Sequence, residues 1–236
     1  MIKVGTCGFP AARKRLFSSV DVVETQKTFY TIVKESTLEK WREDAPFSFE
    51  FTVKALQIIT HPPQSPTYKK LGEEIGDRSN YGFFKPTSEV DKAMELTLNT
   101  ARILRAKVVV LQTPASFKPD DENIKNVINF FKKWRSPVFQ FVWEPRGKWD
   151  EMTIREVLEE TGISHAVDPF KNQYLGGEIA YFRLHGRGKG YRYTYTDEDF
   201  EELKNFIPPG KISYVMFNNT NMFEDAVRFK EFLKRG

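Results

Sequence analysis

The sequence predicts a closed parallel (β/α)8 barrel, TIM-like and single-domain, over residues 1–236. Three observations carry this expectation. Eight short apolar stretches recur along the chain, most of them followed by helical sequence, with no linker, repeat or low-complexity tract between them. Within the clearest stretches the large apolar side chains keep to one parity, as they do on a strand covered by helices. The last residue of the opposite parity is polar in every stretch. A doubly wound open sheet is the alternative, but no Gly-x-Gly-x-x-Gly follows the first strand.

Taken in order, Ile2–Thr6 is the first strand and ends in Gly5-Thr6-Cys7-Gly8. Val20–Glu24 is the second. Thr37–Asp44 reads as a short helix capped by Ser36. Phe47–Lys54 is the third strand and alternates cleanly. A long loop insertion follows at about 55–86, irregular because Pro62, Pro63, Pro66 and Pro86 interrupt it. Thr87 or Ser88 caps a helix running to about Arg105. Lys107–Gln112 is strand four, and Asp120–Trp134 is helical behind Pro119. Val138–Glu144 is strand five. Asp150–Glu160 is a helix stopped by Gly162. Ser164–Asp168 and Ile179–His185 are strands six and seven. Thr196–Phe206 is helical, with acidic residues in its first turn. Ile212–Asn218 is strand eight, and Asn221–Lys234 the last helix.

Composition narrows the function classes. Hydrophobic residues at 40% and charged residues at 29% fit a globular protein with a full core. A single cysteine, Cys7, excludes an internal disulfide and fits a reducing compartment, so a cytoplasmic location is expected. The first residues lack the apolar run of a signal peptide, and no stretch is long enough to span a membrane. The net charge of +4 is compatible with a polyanionic partner but far from that of a basic tail.

Parity locates the site. The helix-facing set includes Phe47, Phe49, Phe51 and Val53 on strand three, Phe139, Phe141 and Trp143 on strand five, and Phe182 and Leu184 on strand seven. The opposite set faces the barrel interior. Its last members are Thr6, Glu24, Lys54, Gln112, Glu144, Asp168, His185 and Asn218, with Arg183 one layer deeper. Active sites of such barrels lie at the strand C-termini. Buried charges cost several kcal/mol each unless paired, so this ring calls for either a function or a self-satisfied ion-pair lattice of Glu24, Glu144 and Asp168 with Lys54 and Arg183.

After strand seven, Gly186, Gly188 and Gly190 alternate with Arg187 and Lys189, and Tyr191, Tyr193 and Tyr195 follow. Successive glycines let backbone N–H groups form a concavity for an anion. The tyrosines suggest a strip for stacking a flat ring.

The sequence resembles the YecE-like family, domain of unknown function 72. The matching motifs are Gly5-Thr6-Cys7-Gly8-Phe9, Phe49 to Ala55 with Ile59-Thr60-His61, Leu111 to Phe117, Glu144-Pro145-Arg146 with Trp149, Arg183 to Arg187, and Phe217-Asn218-Asn219. They run in order through nearly the whole chain. The resemblance implies a TIM-like barrel and no established reaction. That fold is similar to endonuclease IV-type barrels, which connects it to nucleic acid at the level of fold alone.

The leading functional expectation is an enzyme, a hydrolase or lyase, that binds a phosphate-containing or polyanionic ligand, nucleic acid included, at the barrel mouth. Glu144, His185, Glu24, Lys54 and Asp168 are the expected catalytic groups. Arg146, Arg183, Arg187, Gly186, Gly188, Tyr191, Gln112, Asn218, Asn219 and His61 are the expected ligand contacts, with phosphate between the loops after strands seven and eight. No cofactor and no metal is expected, since the chain has three histidines; a carboxylate Mg²⁺ or Mn²⁺ site on Glu24, Glu144 and Asp168 is the alternative. A non-catalytic nucleic-acid binder, and a glycosidase- or isomerase-like enzyme on a sugar, are the competing classes.

Overall fold

The computed structural model describes residues 1–188 and 190–235; Lys189 of the glycine-rich loop lies outside them. The strands are β1 (Ile2–Cys7), β2 (Val22–Thr25), β3 (Glu50–Lys54), β4 (Val108–Gln112), β5 (Gln140–Glu144), β6 (Ser164–Val167), β7 (Ala180–Leu184) and β8 (Ser213–Phe217). All pairs are parallel, and β8 closes on β1 through Ile2↔Ser213 to Thr6↔Phe217. Each expected strand is present, with most ends displaced by one or two residues. The helices are α1 (Arg13–Ser19), α2 (Lys27–Tyr30), α3 (Glu35–Asp44), α4 (Ser88–Leu104), α5 (Asp121–Lys133), α6 (Glu151–Thr161), α7 (Asp197–Phe206) and α8 (Met222–Arg235).

Side-chain caps set the starts of α4, α5, α6 and α7. Thr87, Asp120 and Asp150 each accept a backbone N–H three residues on, and Thr196 with Asp199 forms a reciprocal capping box. Gly162, at φ 72°, closes α6 with its N–H on Leu158 O. Ser36 caps nothing: α3 starts at Glu35, behind an uncapped Lys34. Two short helices, α1 and α2, have no side-chain cap and no acidic first turn, so the sequence does not announce them.

Two apolar layers hold the barrel. Outside, Val4, Val23, Phe51, Val53, Val109, Trp143, Phe182 and Phe217 pack under the helices. Inside, Cys7, Val22, Val108, Val110, Val142, Ala166, Ile179, Tyr181, Tyr214 and Met216 form a separate cluster. Each large side chain so buried contributes about 1.5–3 kcal/mol. Gly5 leaves no room for a side chain beside β2: a Cβ there would sit 2.0 Å from Val22 O.

The parity expectation needs two corrections. On β1 it is reversed: Val4 belongs to the outer layer and Cys7 to the inner one, so Thr6 faces outward and donates to Gly8 O at 2.9 Å. Gly5, with no side chain, hides the alternation in this strand. Phe47 is 92% exposed and precedes β3, because Phe49 N bonds Pro46 O and closes a turn there.

The insertion is ordered around aromatic anchors. Three short 3₁₀ turns, Gln57–Ile59, Pro66–Lys70 and Arg78–Asn80, lead into α4. Tyr81 bonds both N and O of Ile75, and Phe84 packs on Phe117, Phe130 and Phe131. Phe83 and Phe84 hold left-handed backbone at φ 58° and 53°, a strain of about 1–3 kcal/mol each that these anchors offset. The fold places His61, at the start of this segment, beside the end of β3.

Candidate active site

The centre of the mouth is Arg183, on β7 and 1% exposed. Its Nε and Nη2 donate to Glu24 Oε2 and Oε1 at 3.0 and 2.7 Å, a two-pronged pair. Its Nη1 donates to Glu144 Oε2 and, at 3.0 Å, to Gln112 Oε1. Glu24 is fully buried and takes two further bonds, from Tyr181 Oη at 3.0 Å and from Gln26 Nε2. Every position on that carboxylate is engaged. Burial alone would raise the Glu144 carboxyl, but Arg183 first, then Arg146, His185 and Lys54, bring it down to about 2. Arg183 itself is held firmly charged: burial opposes the cation, and Glu144 and Glu24 outweigh it.

A second chain of contacts runs along the β5, β6 and β7 ends. Arg146 Nε donates to Glu144 Oε1 at 3.0 Å, and its Nη2 lies 2.8 Å from the same oxygen. Nη2 also lies 2.8 Å from His185 Nε2. A guanidinium can only donate, so Nε2 accepts and the imidazole proton sits on Nδ1. Nδ1 points at Asp168 Oδ2, 3.2 Å away, and the His185 backbone N–H donates to that oxygen at 3.1 Å. Burial lowers the His185 pKa, against the Asp168 bond that raises it, so the ring is neutral in this network. Glu144, Arg146, Asp168, Lys171, His185 and Trp149 line a cavity of about 300 Å³. The Tyr191 ring, half exposed, covers His185 edge-on at 5.7 Å.

Lys54, at the end of β3, is 5% exposed. Nζ donates to Gln112 Oε1 at 2.9 Å and stands 4.1 Å from the centre of the Phe29 ring. Burial first, and then Arg183, pull its pKa down to about 8 against Glu24 and Glu144. His61 packs edge-on with Phe29 at 4.8 Å, with Nδ1 2.8 Å from Thr60 Oγ1. Burial and the Lys54 charge hold it neutral down to about 3. Cys7 Sγ lies 3.9 Å from Arg183 Nη2; burial and Glu24 keep the thiol protonated.

Glu24, Lys54, Gln112, Glu144, Arg146, Asp168, Arg183, His185, His61 and Tyr191 thus meet in one region. Arg187, Asn219 and the Gly186 N–H have partners elsewhere. Arg187 is taken up by Asp199 and Glu202 of α7 and lies over Phe170. Asn219 donates to Tyr193 O and Asp225 Oδ2. The Gly186 N–H, expected to face an anion, donates to Tyr195 Oη at 2.8 Å. Gly188 is exposed, and Asn218 is half-buried at the end of β8. The tyrosine strip is not a strip: Tyr195 is fully buried and Tyr193 bonds Asp199, which leaves Tyr191 exposed. Among the described residues, no group of three or more His, Cys, Asp or Glu side chains is placed to hold a metal ion. Glu24 and Glu144 turn toward Arg183 instead.

Sequence reasoning passed over Tyr181, Gln26, Lys171 and Phe29. Tyr181 shares parity with Arg183 and was findable on that ground. Gln26, Phe29 and Lys171 lie beyond strand ends, where alternation carries no information.

Fold and site together define a (β/α)8 barrel with a buried carboxylate–guanidinium cluster and an imidazole at the C-terminal ends of its strands. The family described as Protein of unknown function DUF72 matches residues 13–235, and the chain belongs to it. A DUF72 family protein of Enterococcus faecalis superposes with a TM-score of 0.73 at 17% identity, covering 99% of this chain and 96% of that one. One from Thermotoga maritima gives 0.67 at 24% identity, covering 99% of each. Endonuclease IV of Thermus thermophilus gives 0.52 at 8% identity, covering 100% of this chain and 98% of that one, a likeness of fold alone. No curated protein matches the chain. Among the described residues no helix is long and apolar enough to cross a membrane.

Proposed function

We propose that this protein is an enzyme acting by acid–base chemistry on a small substrate that carries an anionic group, phosphate or carboxylate. One observation supports the reading above the others. Arg146, about a third exposed, covers both Glu144 Oε1 and His185 Nε2 at the floor of the cavity. A substrate anion is a better partner for a half-exposed guanidinium than a neutral imidazole is. As Arg146 turns to it, Nε2 is left as a free base over the cavity, oriented from behind by Asp168. Arg183 and Glu24 stay fixed beneath and hold Glu144 in place. Binding would then uncover the catalytic group, which ties proton transfer to the presence of substrate.

An ion-pair lattice serving stability alone would leave no reason for the Arg146 contact to His185, which adds little energy at a half-exposed position. A nucleic-acid strip is disfavoured by the burial of Tyr195 and the engagement of Arg187 and Tyr193. The test is calorimetric titration with glycerol 3-phosphate, inorganic phosphate, glycerol and a short oligonucleotide, on wild type and Arg146→Ala. Binding of the phosphate compounds, absent for glycerol and weakened about tenfold or more in the variant, is the expected outcome. Equal binding by wild type and variant, or binding of the oligonucleotide alone, would overturn the reading.

A further inference from the structure

We infer that Lys54 is a nucleophilic amine that condenses with the carbonyl carbon of an anionic aldehyde or ketone held at the barrel mouth. The inference rests on the anionic-substrate reading above and adds a substrate class to it.

The geometry around Lys54 leaves its ammonium short of partners. That group has three N–H donors. One meets Gln112 Oε1, and the Phe29 face offers a weak second contact. Among the described residues no carboxylate oxygen comes within 4.0 Å of Nζ. Yet two glutamates lie in the same cluster, and both are directed at Arg183. A lysine kept for charge compensation would have one of them. The Gln112 amide is a neutral partner, and the same oxygen already accepts from Arg183. These surroundings stabilise the ammonium less than an ion pair would, and they also accommodate a neutral amine, with two N–H groups and a lone pair. Gln112, the partner of the amine, is half-buried at the end of β4.

Protonation equilibria agree with the geometry. A lysine at about 8 keeps on the order of a hundredfold more free amine near neutral pH than one at its ordinary 10.5.

The chemistry balances within the site. The Nζ lone pair attacks the carbonyl carbon, the C–O π electrons move to oxygen, and one nitrogen proton follows to give a carbinolamine. The hydroxyl then leaves as water with the second nitrogen proton, and a C=N bond forms. Amine and carbonyl become imine and water, with no oxidant or reductant. Once protonated, the imine withdraws electrons from the adjacent carbon. A base such as His185 can then remove a proton there, or a carbon–carbon bond can break.

The experiment uses the full chain with cyanoborohydride and three probes: pyruvate, glyceraldehyde 3-phosphate and neutral acetaldehyde. Peptide mass spectrometry locates the reduced adducts. Lys54 should be modified at least about tenfold faster than the average surface lysine by the anionic carbonyls, and acetaldehyde should show no such preference. Lys54→Arg, which keeps the charge, should lose the fast adduct. The site mapping on wild type stands even if that variant folds poorly. Adducts confined to surface lysines would overturn the inference. If glycerol 3-phosphate still binds calorimetrically in that case, the anionic-substrate reading survives. A Lys54 adduct formed equally well by acetaldehyde would overturn the substrate class.

Discussion

Replacing Arg183 by Met tests the energetic core of the site. Methionine fills much of the volume and removes the charge, leaving Glu24 and Glu144 buried and facing each other. Breaking a buried ion pair by deleting one partner costs about 3–5 kcal/mol; here Glu24 loses its guanidinium and Glu144 keeps Arg146. The pH dependence gives a sharper criterion. In the wild type, Glu144 is depressed to about 2, so its contribution is present above its unfolded value of 4.5 and is lost as pH falls below that. Without Arg183, burial is opposed by Arg146, His185 and Lys54 alone, so the folded pKa rises from about 2 toward the unfolded value. The variant therefore loses less stability than wild type as pH falls through 4.5. Urea unfolding followed by circular dichroism at about pH 7 and pH 3.5 measures both terms. The deficit relative to wild type should be about 3–5 kcal/mol at the higher pH and smaller by about 1 kcal/mol or more at the lower. Taking the difference between proteins cancels His61 and His165, whose pKa values do not depend on Arg183. A deficit under about 1 kcal/mol, or one that grows on acidification, would refute the pairing argument.

Other parts of the structure make separate predictions. Arg146→Gln removes a like charge from His185, so the imidazole, held low chiefly by burial, should titrate at higher pH than in wild type in a ¹H–¹⁵N spectrum; an unchanged midpoint would detach Arg146 from the ring. His61 and His165 are held neutral to about 3 and 4 by burial. Their folded pKa values lie below 6.5, so stability should fall as pH drops from that value, by about 1.4 kcal/mol per pH unit for each histidine, and His165→Asn should flatten that slope. Arg187→Ala should leave phosphate binding unchanged, because its partners are Asp199 and Glu202; weakened binding would return it to the site.

Much of this was legible from alternation. Tyr181, Arg183 and His185 share a face of β7 with Ile179, and the same rule finds Glu24, Lys54, Gln112, Glu144 and Asp168 because each follows an inner residue on its strand. Where a strand lacks contrast, the rule fails: in β1 a glycine stands where an inner side chain would reveal the register, and Thr6 and Cys7 exchange faces. It also says nothing about how charges pair. Arg187 looks like an anion ligand in sequence because its partners, Asp199 and Glu202, lie on the following helix. The contact of Arg146 with His185 joins residues 39 positions apart, so neither periodicity nor a local motif could supply it.

The claim that substrate draws Arg146 off the imidazole is tested most directly by a crystal structure of the protein with glycerol 3-phosphate. The account predicts the phosphate in the cavity between the β5 and β6 loops, bonded to Arg146, with His185 Nε2 released from its present 2.8 Å contact and open to the ligand. Phosphate seated elsewhere, or bound in the cavity with Arg146 still on His185, would contradict it.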